Sequence, residues 1–207
     1  VMAPSLRGQS NSPGSPECFL GEVDDILAAA EWLATRPDVD PERIFMGGHS
    51  TGGTLAVLAA ASESPFAAVF AFGPIDDPVR YDRECPPRDL PDEERIPRTP
   101  HHFTHAINVP TWLIGGEYGN ADSIESLLEA SRDNQYLRAS VIPNFSHFEP
   151  LRPGMELIVE QIVAGIPPEE FQLSAEAILQ QNAPRPWPER TEMNATVELL
   201  YGEWAID

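Results

Sequence analysis

Residues 44–60 place the pentapeptide Gly48-His49-Ser50-Thr51-Gly52 between a short apolar run and an alanine- and leucine-rich one. Ile44-Phe45-Met46 suits a strand covered on both faces, and the residues after Gly53 suit a helix packed against a sheet. A strand that turns sharply into a helix brings two backbones together. Glycines two before and two after Ser50 are expected to allow that approach. The spacing matches G-x-S-x-G, in which a serine on a strained strand-to-helix turn holds its hydroxyl up at the helix N-terminus. Ser50 is therefore the candidate nucleophile. The Thr51 amide, at the positive end of the helix dipole, is the candidate oxyanion donor. The bland alternative is a glycine-rich turn that only packs.

The rest of the chain alternates in the same way. Glu22 to Thr35 carries Val23, Ile26, Leu27, Ala30 and Leu33 at helical spacing, with Glu22, Asp24, Asp25 and Glu31 turned elsewhere. Residues 1–20 read as a loop with at most the tail of a strand. Further strands are expected at Ala67–Phe72, from Pro110 to Gly116 and at Ala139–Pro143. Helices are expected near Ser123–Ser131 and over residues 153–165. This order predicts an α/β chain, a three-layer α/β/α sandwich with a mainly parallel sheet. Residues 76–99 are charged, proline-rich and aperiodic, and their place after a strand end suggests a lid. In such a sheet the strand-to-helix loops share one edge, so His147 in Asn144-Phe-Ser-His147-Phe-Glu-Pro is expected beside Ser50. His49 reads as packing or structural. His101, His102 and His105 lack acidic or cysteine ligands at fitting offsets and read as a solvated helix end rather than a metal site.

A formal charge of −20 over 207 residues argues against nucleic acid and anionic membranes as partners. All 13 basic residues are arginine. No run approaches the roughly 18 apolar residues of a membrane span, and no signal peptide is visible, so a cytoplasmic protein is expected. Cys18 and Cys85 lie far apart and read more plainly as free thiols than as a disulfide.

Gly21-Glu-Val-Asp-Asp-Ile, Arg36-Pro-Asp-Val-Asp-Pro-Glu-Arg-Ile and Gly47-Gly-His-Ser-Thr-Gly-Gly together resemble the α/β-hydrolase superfamily, in its prolyl oligopeptidase and dienelactone-hydrolase-like branch. Leu6-Arg7-Gly8, Val109-Pro-Thr-Trp-Leu-Ile-Gly-Gly-Glu and Ser146-His-Phe extend the resemblance over residues 5–165. The division expected is a hydrolase-like domain over 1–166 and an extension over 167–207. The resemblance implies a partial α/β-hydrolase fold and a serine hydrolase, with Ser50 as nucleophile, His147 as general base and a carboxylate to orient the imidazole. It departs from the family at the acid, because counting on from Gly116 puts Gly119 where an aspartate is expected. Asp122 ranks first in its stead, ahead of Glu117, Asp76 and Asp77. The family also has three strands before the point where this chain begins, and the third brings the other oxyanion group. A fragment with an exposed sheet edge, open to self-association, is therefore expected.

The resulting expectation is cleavage of a small ester or peptide substrate through an acyl-enzyme on Ser50, with no cofactor. Peptidase and carboxylesterase both stay open. The rival is a non-catalytic domain that binds a ligand or partner in the same cleft.

Overall fold

A computed structural model describes residues 1–80 and 89–182. Four strands lie side by side in chain order: β1 (Phe45–His49), β2 (Ala68–Phe72), β3 (Thr111–Tyr118) and β4 (Leu137–Ser146). All three pairings are parallel, so each needs a crossover. α2 (Thr51–Ala60) links β1 to β2, and α4 (Ala121–Ala130) links β3 to β4. The β2-to-β3 crossover is residues 73–110, which hold α3 (Asp92–Arg95) and several single helical turns. α1 (Gly21–Ala34) precedes the sheet, and α5 (Leu151–Val163) and α6 (Ala175–Gln181) follow it.

The period of two along the strands divides the core. Val69, Ala71 and Leu113 face Ile26, Leu55, Ile124 and Leu127, from α1, α2 and α4. Phe70, Phe72, Trp112 and Ile114 face the other way, toward Ile158 of α5 and Ile178 of α6. The sandwich therefore has three layers, as expected. α2 carries eight buried residues, which is why its sequence shows no polar face. β4 is longer than the expected 139–143. Leu137 and Arg138 already pair with Thr111 and Trp112, and beyond a register irregularity Ser146 pairs with Tyr118. α5 begins two residues before the expected start, because Pro153 sits within its first turn, where no amide donor is needed.

Residues 167–182, read from the sequence as the start of an extension, build part of the second core. Phe171 lies 5.8 Å from the Trp112 ring and 6.1 Å from Phe70 by ring centroids. The Ser140 hydroxyl donates to the Leu173 carbonyl. The expected proline-rich break and closing segment fall within residues 183–207, outside the described residues.

The N-terminal loop is tied down by Arg7. Its backbone N–H reaches the Asp25 carboxylate at 2.8 Å, and its guanidinium grips the same group at 2.9–3.2 Å. That pairing holds the Asp25 carboxyl below its ordinary range. Gly21 makes room, since a Cβ there would lie 1.7 Å from Arg7 Nη1. Glu22, expected to face away from the core, is instead 4% exposed. Its Oε1 accepts the backbone N–H groups of Glu17 (2.7 Å) and Cys18 (3.2 Å) and so caps the loop from inside. The expectation of free thiols is also corrected, because Cys18 is disulfide-bonded. Cys85 lies outside the described residues. No spacing rule signals such a bond. It depends on tertiary approach, which a single sequence does not display. Separately, Arg98 Nε donates to the Glu17 carbonyl at 3.2 Å.

Among the described residues β1 is paired on one side only. Along its other side lies a mainly apolar cavity of about 230 Å³, lined by Leu6, Ile26, Leu33, Phe45 and Leu55 and reaching Gly48 and Gly52. No described helix is long and apolar enough to cross a membrane.

Burial of Phe171 against Phe70 and Trp112 makes residues 167–182 part of the folding unit. Phe171→Ala is expected to destabilise the chain by about 3–5 kcal/mol in urea titrations. A detachable segment would give less than about 0.5 kcal/mol.

Candidate active site

β1 ends at His49 and α2 begins at Thr51, leaving a single residue for the turn. That residue is Ser50, with φ 57° and ψ −116°, a conformation that costs a non-glycine residue of order 1–3 kcal/mol. Its backbone is held on both sides. The Ser50 N–H donates to the Phe72 carbonyl (2.8 Å), and its own carbonyl accepts from the Thr54 N–H (2.9 Å). Helix and strand are then so close that a Cβ on Gly48 would lie 2.2 Å from the Gly52 carbonyl oxygen. A Cβ on Gly53 would lie 2.6 Å from the Phe72 oxygen. Gly52 is different. A Cβ there would meet nothing within 4 Å, so the close approach belongs to Gly48 and Gly53 rather than to the motif's second glycine. Thr51, the first residue of α2, has an amide with no intrahelical acceptor, at the helix end that favours negative charge.

His147 follows β4 directly, on the strand edge that carries Ser50. Its ring lies on Gly73, where a Cβ would come within 2.7 Å of Cε1 and 2.8 Å of Nδ1. Gly73 has φ +54° and comes next after Phe72, the residue that binds the Ser50 amide. The Ser50 backbone and the His147 ring thus both lie at the end of β2. Their side chains share no hydrogen bond in this structure. The His147 ring is flanked by His49, with ring centroids 4.5 Å apart, and by Phe148, at 5.2 Å. Phe148 also packs on His49 at 4.9 Å and is 67% exposed, an apolar face beside the two histidines. Burial, with a smaller contribution from His49, pushes the His147 imidazole below its ordinary value of 6.5.

The structure does not bring a carboxylate to His147 among the described residues. Asp122 is bound to the Arg80 guanidinium. Arg80 also holds Asp76 at 2.8 Å, and Asp76 accepts from Ser123 Oγ at 3.0 Å. Asp77 pairs with Arg95 at 3.0 Å. Glu117 accepts the Asn144 N–H at 2.8 Å. At the counted position, a Cβ on Gly119 would lie 3.1 Å from His147 Cα, so residue 119 does adjoin the histidine loop. The neighbouring Asn120 sends its amide to the Gly73 carbonyl at 2.8 Å.

Two features at the site are absent from the sequence reading. His49 makes a polar contact as well as packing, with Nε2 3.1 Å from the His147 carbonyl oxygen. Its position at a strand end next to a candidate nucleophile was the available signal. Asn120 carried none. His101, His102 and His105 lie in two single helical turns, and His101 Nδ1 is 3.2 Å from Ser126 Oγ.

The prolyl oligopeptidase family model matches residues 20–97, which include Ser50 and stop short of His147. An uncharacterised protein of Mycobacterium tuberculosis is 29% identical over 164 residues, covering 72% of this chain and 53% of that protein. The uncharacterised peptidase YtmA of Bacillus subtilis is 27% identical over 177 residues, 76% of this chain and 68% of YtmA. The chain thus spans about half the length of the first of these relatives. Acylaminoacyl peptidase of Pyrococcus horikoshii superposes with a TM-score of 0.61 at 18% identity, over 78% of this chain and 30% of that one. A puromycin-hydrolysing peptidase of M. tuberculosis gives 0.56 at 20% identity, over 63% and 22%. The fold is that of the α/β-hydrolases.

Two outcomes follow from this geometry. Gly48→Ala is expected to cost more than about 3 kcal/mol in thermal or urea unfolding, whereas Gly52→Ala, in open space on a helix, is neutral or stabilising by up to about 1 kcal/mol. A depressed histidine value means that the unfolded chain takes the proton first. The His147 contribution is therefore intact above the ordinary imidazole value and is lost as pH falls below it. In an NMR titration the His147 ring should titrate at lower pH in the folded chain than in urea.

Proposed function

We propose that the chain is the catalytic portion of a serine hydrolase that cleaves amide or ester bonds through an acyl-enzyme on Ser50. The observation that carries this reading is the turn at Ser50, where a costly backbone conformation is fixed by two hydrogen bonds, one of them to Phe72, whose neighbour Gly73 carries the His147 ring. A serine needed only for packing has no use for such strain. In the proposed reaction His147 takes the Ser50 hydroxyl proton as Oγ attacks the substrate carbonyl carbon. The Thr51 amide faces the oxygen as it gains negative charge. The proton passes to the leaving amine or alcohol as its bond to the carbonyl breaks. Water then attacks the acyl-serine, and the same imidazole relays its proton back to Oγ. The relatives named as peptidases weigh the substrate toward peptides over simple esters. The exposed Phe148 ring offers an apolar surface for a substrate group next to the bond cleaved.

A second reading rests on a specific observation. With Asp122, Asp76 and Asp77 engaged by arginines, His147 has no carboxylate partner among the described residues. A chain without one can serve as a binding module in the same cleft. A fluorophosphonate probe separates the two readings. The enzyme is expected to be labelled once per chain, and Ser50→Ala and His147→Ala to abolish labelling. No labelling of the folded wild-type chain would leave the binding module in place.

The orienting acid can be tested in the same assay. Asp122→Asn is expected to change the labelling rate by less than about twofold, since its carboxylate serves Arg80. Gly119→Asp, which puts a carboxylate against the histidine loop, is expected to raise it by about an order of magnitude, a fraction of the roughly 10⁴-fold that an orienting acid supplies in the serine protease template.

A further inference from the structure

We infer that His49 is the positioning residue for His147, taking the place of a carboxylate by holding the histidine loop to the end of the nucleophile strand. The inference rests on the reading of His147 as general base.

His49 is the last residue of β1 and lies directly before Ser50. Its Nε2 is 3.1 Å from the main-chain carbonyl oxygen of His147. A carbonyl oxygen can only accept, so Nε2 must carry the proton. The tautomer of His49 is thereby fixed by its contact. The bond joins the backbone carrying the base to the strand carrying the nucleophile, 98 residues apart in sequence. The His147 ring is then confined on three sides: by Gly73, where even a Cβ would collide, by the His49 ring and by Phe148. No other described side chain bonds the His147 backbone or ring. Deleting the His49 donor removes the polar tether at His147 itself, while the Asn144 and Ser146 N–H groups before it stay bound to Glu117 and Glu149. It also leaves the His147 carbonyl oxygen without its side-chain donor.

Two substitutions separate a tether from simple packing. His49→Gln keeps an N–H donor at about the reach of Nε2 and loses the ring. His49→Phe keeps the ring and loses the donor. For a tether, the fluorophosphonate labelling rate should fall on the order of tenfold to a hundredfold in His49→Phe and recover most of that loss in His49→Gln. The reverse order, or no loss in either variant, would overturn the inference. A second readout requires no activity. In long-range ¹H–¹⁵N spectra of the wild-type chain, His49 should be the Nε2–H tautomer, and the His147 ring signals should be displaced in His49→Phe and retained in His49→Gln. A Nδ1–H tautomer at His49, or His147 signals that ignore both substitutions, would also overturn it, even if His49→Phe were too unstable to assay. Failure of the wild-type chain to be labelled would instead count against the hydrolase reading, and the spectra would still decide whether His49 holds the loop.

Discussion

The hydrogen bond from the Ser50 amide to the Phe72 carbonyl is the contact on which the other parts of this site converge. It stitches the turn after β1 to the end of β2 at the point where Ser50 leaves ordinary backbone space. Around that carbonyl, side chains are absent where they would intrude. Gly53 clears the Phe72 oxygen, and Gly154 lets α5 settle on the Phe72 ring, which a Cβ would approach to 2.7 Å. Gly73, one residue on, receives the His147 ring. Three elements distant in sequence therefore register against a two-residue stretch. An error of an ångström there would displace Ser50 and His147 relative to each other, a change that weighs heavily on the proposed reaction, which requires both.

Electrostatics shape the same region by subtraction. The chain carries 33 acidic residues against 13 arginines, so by composition alone a histidine is expected to find a carboxylate with ease. The nearby acids are instead committed. Arg80 spans Asp76 and Asp122, and Arg95 spans Asp77 and Asp92. The guanidinium fork presents several donors in one plane and is always charged, which makes it a stronger partner for a carboxylate than a neutral imidazole. Through Asp122 and Ser123 of α4, Arg80 also ties the segment after β2 to the body of the domain, and Arg98 adds a bond to the N-terminal loop.

The alternation of elements and both layers of the core were legible because they rest on apolar periodicity, which a single sequence displays. The elbow was legible for the same reason, as Ile44 to Ala60 combine a buried strand, a glycine-bounded turn and a buried helix. What sequence spacing could not rank was which glycine matters. Gly52 completes the motif yet faces open space, while Gly53 faces the Phe72 carbonyl across the crossover. Glu22 shows the same limit, since its helical position is polar by pattern and its burial comes from a loop that folds over it. Counting to Gly119 raises the question of the carboxylate, but the pairing of Asp122 with Arg80 spans 42 residues and is invisible to spacing. Likewise, the role of His49 depends on a contact across 98 residues.

An imidazole held by packing and a backbone tether differs from one held by a carboxylate in which step it helps. Both arrangements fix geometry. Only the carboxylate also stabilises the imidazolium that forms as the serine is deprotonated. Here burial and the nearby His49 act in the opposite sense, favouring neutral His147. More of His147 is therefore neutral at mildly acidic pH, and the imidazolium that the proposed mechanism requires is less favourable. The deficit grows with the demand on that state. It is small for an activated phosphonate, whose leaving group departs with little protonation, and large for an amide, whose nitrogen must receive the proton before the bond can break. On the proposed mechanism, a chain with this site is expected to react readily with activated acyl or phosphonyl groups and to turn over peptide bonds slowly.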